Sequence, residues 1–175
     1  VKKNTLGLKN LVKEFEGYKI FWVFGEISPL LRIKLVNFWI KNKALQDEHA
    51  AWRRTFEVMC IILNNEDDIV GVSSAAPFSQ DKSKEHFWFY RSFIDSRYSI
   101  DSFKFLMPYY LLEKTSTNLA LLASEPGAPQ GILITIENEK LKRNGMEKFF
   151  MKLGFVKLID AELLSDHWKK YFVLT

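Results

Sequence analysis

Apolar residues change their spacing several times along the 175-residue chain, and each change marks an element. Leu8, Leu11, Val12 and Phe15 recur at intervals of three and four ahead of Gly17, which predicts a short amphipathic helix at the start. Residues 18–24 are aromatic and β-branched between two glycines, as in a strand. Ser28 then offers a helix cap and Pro29 a first helical position. A helix from there to about Ala44 would bury Leu31, Leu35, Phe38 and Trp39 and expose Arg32, Lys34, Lys41 and Lys43. A second helix is expected from Asp47 to Arg54. Two apolar runs, 57–63 and 69–75, flank the polar cluster 64–68 and read as a hairpin, followed by a polar loop over 77–84.

Residues 85–95 are apolar or aromatic at nearly every position, which marks a central strand covered on both faces. From Ser99 the spacing turns helical through Phe103, Leu106, Met107, Tyr110 and Leu111, with Pro108 expected to bend or break the helix. A turn at 125–129, a strand at 131–136, a helix at 139–153 ended by Gly154, and strands at 155–159 and 171–174 complete the plan. Runs of strand alternating with helix in this order predict a mixed α/β domain with a largely antiparallel sheet.

Composition narrows the class. A chain with 47% apolar residues, fifteen Phe and five Trp can bury one sizeable core, which argues against disorder. The net charge of +4 is a modest lysine excess and reads as a solvated surface. Cys60 lies in an apolar run as buried filler and has no partner for a disulfide or a cysteine metal site. No run is long enough to span a membrane and no signal-peptide pattern is present, so a reducing cytoplasm is the expected compartment.

Two stretches carry candidate chemistry. Residues 86–103 run from strand into helix, and at such a junction unpaired N–H groups and the positive end of the helix dipole can hold an anion. Trp88 and Tyr90 share one face of this strand, and Phe87, Phe89 and Arg91 the other. Arg91 in so apolar a run needs a partner, either a carboxylate such as Glu57 or a bound anion. An aromatic face beside arginine could stack single-stranded bases. These aromatics are expected to lie beneath helices, however, and the glycine-aromatic signatures of RNA-binding sheets are missing, so nucleic acid is disfavoured. His49, His86 and His167 share no spacing that makes a metal face, and no metal is expected. His86 is either an acid–base group or a strand-end histidine. The second stretch, 144–155, sets Asn144, about two turns of helix, Phe149-Phe150 and Lys152-Leu-Gly-Phe155 at fixed spacing.

Together these stretches resemble the GNAT superfamily of acyl-CoA-dependent N-acyltransferases. Members often carry an Asn, a two-turn helix, Phe-Tyr or Leu-Tyr, and then Lys-Leu-Gly-Phe. The turn after the family's fourth strand usually has Arg or Gln, two residues, Gly, one residue, then Gly or Ala. Here Arg97-Tyr-Ser-Ile-Asp-Ser102 keeps the arginine but places Ile100 and Ser102 at the small-residue positions with Asp101 between them, a divergent phosphate-binding turn. The resemblance covers roughly residues 18–175, leaving 1–17 as an added N-terminal helix on a single domain.

The resemblance implies an α/β (α+β) fold, a mostly antiparallel twisted sheet flanked by helices and splayed between its fourth and fifth strands, where acyl-CoA enters. It implies acetyl-CoA or another acyl-CoA held by Phe93, Ile94, Asp95, Arg97, Tyr98, Ser99, Ile100, Asp101, Ser102 and Phe103. Asn144 would help to order the cofactor arm. Phe150 falls where the family often has a tyrosine that protonates the departing thiolate, and it has no proton to give. Glu57, Glu85 and Glu137 are the carboxylates placed to deprotonate an acceptor amine, and nothing in the sequence separates them. Two functions stay open: transfer of an acyl group, acetyl first among them, from acyl-CoA to an amine, or a catalytically inactive GNAT-fold binding or assembly module. The identity of the amine and the choice between monomer and homodimer are left open.

Overall fold

The computed structural model describes residues 6–79, 85–98, 106–136, 144–158 and 166–173. In chain order the elements are β1 (Leu11–Phe15), β2 (Tyr18–Trp22), α1 (Pro29–Lys41), α2 (Glu48–Arg54), β3 (Val58–Leu63), β4 (Ile69–Ser79) and β5 (His86–Ile94). There follow α3 (Leu106–Leu122), β6 (Gly131–Ile136), α4 (Asn144–Lys152), β7 (Val156–Leu158) and β8 (Asp166–Tyr171). The strands pair in the order β1-β2-β3-β4-β5-β6-β8-β7. The β5–β6 ladder is parallel, and the other described ladders are antiparallel. The result is the mixed α+β plan that the alternation of periods predicts. No helix among the described residues is long and apolar enough to cross a membrane.

By their contacts the residues fall into two compact units, Val1–Ser74 with Ser92–Thr115, and Ala75–Arg91 with Ser116–Thr175. In the first, β3 explains how a run of six apolar residues can be buried throughout. Side chains on a strand alternate between faces. Ile61 and Leu63 join a core with Leu31, Leu35, Phe38, Trp39 and Ala51. Cys60 and Ile62 join a second core with Ile20, Val70, Met107 and Leu111. Each large aliphatic side chain buried this way contributes roughly 1.5–3 kcal/mol. The first core requires α1, whose start is fixed locally: Ser28 Oγ accepts from the Leu31 N–H at 3.2 Å, and Pro29 opens the helix. The residues α1 buries are Leu31, Leu35, Phe38 and Trp39, as their spacing predicts. Asp47 caps α2 in the same way, accepting from His49 N at 2.9 Å.

Four expectations are corrected. The N-terminal segment is not helical where helix was expected: residues 11–15 form β1, paired with β2 from Phe15↔Tyr18 to Leu11↔Phe21. Glu16 (φ 45°) and Gly17 (φ 82°) close the hairpin. Val12 and Phe15 pack on the second core while Leu11 is 47% exposed. Pairing supplies backbone partners that a short isolated helix lacks. Pro108 does not break α3, which is described without interruption from Leu106 to Leu122. The expected loop over 77–84 begins later, since β4 continues through the exposed residues Pro77, Phe78 and Ser79. The last strand is Asp166–Tyr171, not 171–174.

In the second unit β6 is the organising strand. It pairs with β8 along its whole length, from Gly131↔Tyr171 to Ile136↔Asp166, but with β5 over three residues only: Trp88↔Ile132, Phe89↔Leu133 and Tyr90↔Ile134. One face is buried, with Ile132, Ile134 and Trp168 each less than a tenth exposed. The Phe150 ring lies 5.1 Å from that of Trp168 and 6.0 Å from that of Phe155. Gly154, at φ +83°, ends the turn after α4 as expected.

Candidate functional site

β5 and β6 are the strands that correspond to the family's fourth and fifth, because β1 adds one at the start. Beyond Tyr90↔Ile134, β5 continues to Ile94 and β6 to Ile136. At the end of β5, Phe93 stacks edge-on against Phe38 at 5.6 Å, and Ile94 packs on the second core of the first unit. Asp95 N–H donates to the Val70 carbonyl at 2.9 Å, and the Asp95 carbonyl accepts from Tyr98 N–H at 2.9 Å. These two bonds turn the chain out of the strand into the single 3-10 turn Ser96–Tyr98.

Asp95 and Arg97 make the main electrostatic contact there. The Asp95 carboxylate is buried and accepts from Arg97 N–H at 3.0 Å, from Nε at 3.1 Å and from Nη2 at 2.5 Å. A guanidinium fork with two parallel bonds is a strong carboxylate partner. It holds Asp95 below the usual carboxylate range, with the hydrogen bond from Arg97 as the leading cause and burial opposing it. Arg97, expected to face an anion, therefore spends part of its donor fork on Asp95, although its side chain remains 62% exposed. Tyr98 turns inward, where its hydroxyl accepts from Asn64 Nδ2 at 3.3 Å and its ring meets Tyr18 edge-on. Ser99, Ile100, Asp101, Ser102 and Phe103 lie outside the described residues, as does Glu137.

Among the second-unit candidates, Asn144 is the first residue of α4. Phe150 is 5% exposed and is a core residue. The other carboxylates have local partners: Glu57 meets Arg54 at 3.2 Å, while Glu85 accepts from Lys169 Nζ at 2.9 Å and from the Tyr171 hydroxyl at 2.8 Å. Arg91 stacks on Phe89, its guanidinium carbon 4.7 Å from the ring centre. His86 Nδ1 is 2.7 Å from Ser79 Oγ on the surface. No metal-binding group of His, Cys, Asp and Glu occurs among the described residues.

The sequence reading missed two polar pairs of this unit. His167 Nδ1 lies 3.0 Å from Thr135 Oγ1, and Lys170 Nζ donates to Ser116 Oγ at 3.0 Å. Burial pushes the Lys170 ammonium below its ordinary range. Both pairs join residues more than thirty positions apart, so only the β6–β8 register could reveal the first. A lysine on the buried face of β8 was the available hint for the second.

No protein-family model matches the sequence, and no curated protein matches it. Solved structures do. The ribosomal-protein-S5-alanine acetyltransferase of Vibrio fischeri is 17% identical over 91% of this chain and 96% of that one, with a TM-score of 0.58. The chain has the GNAT fold. A GNAT-family acetyltransferase of Listeria monocytogenes is 16% identical, covering 93% of this chain and 99% of that one at a TM-score of 0.53. A tyrosine-to-phenylalanine mutant of the toxin AtaT, bound to acetyl-CoA and the C-terminus of the antitoxin AtaR, is 16% identical over 88% and 94% at a TM-score of 0.51. At these identities it is the GNAT fold that is shared.

Proposed function

We propose that this chain is an acyl-CoA-dependent N-acyltransferase that transfers an acyl group, acetyl first among the candidates, to an amine. The observation that carries this is the short β5–β6 ladder within a GNAT fold: three residue pairs, against six between β6 and β8, with both strands continuing past the last pair. A GNAT-fold structure holding acetyl-CoA supports the donor. The residues at the end of β5 suit a polyanionic thioester. Asp95, the carboxylate described at this turn, is already held by Arg97, so it does not stand as an open negative charge. Backbone N–H groups near Phe93 would polarise the thioester carbonyl, which is worth several kcal/mol where water is excluded, roughly 3–4 per donor.

A second reading has its own support. Phe150 is a packed core residue with no proton to donate, and Arg97 spends part of its donor fork on Asp95, as in a GNAT-fold module that binds or assembles without catalysis. Thermal unfolding with and without acetyl-CoA separates the two. A donor at a hundred times its dissociation constant adds about 2.7 kcal/mol of stability, and millimolar acetyl-CoA or longer acyl-CoAs should raise the melting temperature. No shift with any of them would favour the binding module. Release of free CoA with spermidine, phosphinothricin or a peptide starting with alanine, amines suggested by the names of structures of this fold, then tests transfer.

A further inference from the structure

We infer that the outer side of α1 and the end of α2 form a docking surface for an acidic segment of a partner protein, which sets a carboxylate on Arg32 and an apolar side chain beside Trp52 and Phe56. The surface lies within the first unit and does not depend on acyl transfer. Its centre is a stack: the Arg32 guanidinium carbon lies 5.4 Å from the Trp52 ring centre and 4.0 Å from that of Phe56. Arg32 Nη1 donates to the Thr55 hydroxyl, which is fully buried and itself donates to the Trp52 carbonyl at 2.6 Å. The guanidinium is thus fixed in place, yet Trp52 is 46% and Phe56 63% exposed. Leu30 and Ile33, neighbours one turn apart on α1, are 49% and 51% exposed. Helix α1 therefore carries large apolar residues on the side away from its core as well as on the side that packs, and the core accounts only for the second.

Exposed apolar residues gathered in one place mark interaction sites, and Trp and Arg carry much of the energy of interfaces. A guanidinium already ordered by its neighbours loses little freedom when it gains a partner. Charge then selects that partner. Residues 29–57 hold six cations against three carboxylates. Of the three, Asp47 caps α2 and Glu57 meets Arg54. Helix α1 has no acidic residue at all, and among the described residues Arg32 meets no carboxylate. The rest of its N–H fork can grip one with two parallel bonds. A second copy of the chain, docked two-fold on the same face, would set these cations against one another, so the face is not complementary to itself. Nucleic acid would satisfy the cations but leave Leu30 and Ile33 without apolar partners. An acidic peptide with apolar side chains meets both demands.

Random peptides displayed on phage and panned against the full chain test this. The enriched peptides should combine Asp or Glu with Leu, Phe or Trp. Synthetic copies should bind Phe56→Ala and Arg32→Glu about tenfold or more weakly than the unaltered chain. Copies with lysine in place of the acids, or serine in place of the apolar residues, should lose binding to a similar degree. Phe56 is mostly exposed, so Phe56→Ala should keep the melting temperature of the unaltered chain, which separates lost binding from lost folding. The indole N–H signal of Trp52, assigned by its absence from Trp52→Ala, should shift when the peptide is added. An empty selection, enriched peptides that are basic, or peptides that bind both variants as well as the unaltered chain would overturn the proposal. A single-stranded oligonucleotide that binds more tightly than any peptide and loses that binding in Phe56→Ala would overturn it in favour of nucleic acid. A dimer in sedimentation that Phe56→Ala dissociates would overturn it in favour of a second copy.

Discussion

Replacing Gly131 with alanine tests the register on which the site depends. A Cβ at position 131 would stand 2.0 Å from the Lys170 carbonyl oxygen, 3.0 Å from the Lys170 carbonyl carbon and 3.1 Å from Phe87 Cε1. The first neighbour is backbone and cannot swing aside, so β6 and β8 must separate locally where Gly131 faces Tyr171. Overpacking of this kind costs about 1–3 kcal/mol, and a strained or broken ladder hydrogen bond adds about 0.5–1.5. A total of roughly 2–4 kcal/mol corresponds, for a chain of this size, to a melting temperature lower by roughly 5–15 °C. Gly127→Ala is the control. Its Cβ would meet nothing within 4 Å, so only the φ of +79° penalises it, by roughly 1–2 kcal/mol. Denaturant titration of both variants, followed by circular dichroism, gives the difference directly. If Gly131→Ala lost less stability than Gly127→Ala, the close approach of β6 to β8 would be wrong, and with it the placing of His167 opposite Thr135.

Three other outcomes follow from single groups. Asp95 is held below its unfolded pKa, so its contribution is complete above about pH 4 and is lost as pH falls through the depressed folded value. Asp95→Asn should cost about 1–3 kcal/mol at pH 7 and flatten the acid limb of stability, read from urea midpoints between pH 2 and 6. Lys170 is depressed by burial, so the unfolded chain binds more protons at alkaline pH and stability should climb as pH rises towards 10. Lys170→Met should lack that climb, and a parallel pH dependence in both proteins would refute it. The Cys60 thiol, fully buried and pushed up to about 12, should resist thiol reagents at pH 8 until the chain is unfolded. Rapid labelling of the native protein would show that β3 is not where it is described.

Local signals carried much of the fold. The Ser28-Pro29 pair, the spacing of Leu31, Leu35, Phe38 and Trp39, and the unbroken run of β3 each leave one economical solution, and the structure adopts it. At the first segment the signal was ambiguous. Leu8, Leu11, Val12 and Phe15 suit a helix, and only the pairing of β1 with β2, turned at Glu16 and Gly17, decides for strand. β8 was missed for the opposite reason: Asp-His-Trp-Lys-Lys-Tyr is mostly polar, and Trp168 is its one deeply buried apolar side chain, so the apolar residues 171–174 drew attention past it. The site divides similarly. The strand that ends at Ile94 was plain from composition, and the Asp95–Arg97 contact, only two residues apart, was there to be seen. The Thr135–His167 contact depends on a register that no local pattern encodes.

The β1 hairpin has a consequence for any shortened form of the chain. β1 pairs with one side of β2, and β3 with the other. Removal of residues 1–17 would strip that outer partner and leave Tyr18-Lys-Ile-Phe-Trp22 with a row of bare amides along its flank. A segment so aromatic and so lightly charged is a template for joining other molecules edge to edge. The trimmed protein should therefore fail first by aggregation, at temperatures where its remaining fold is still intact.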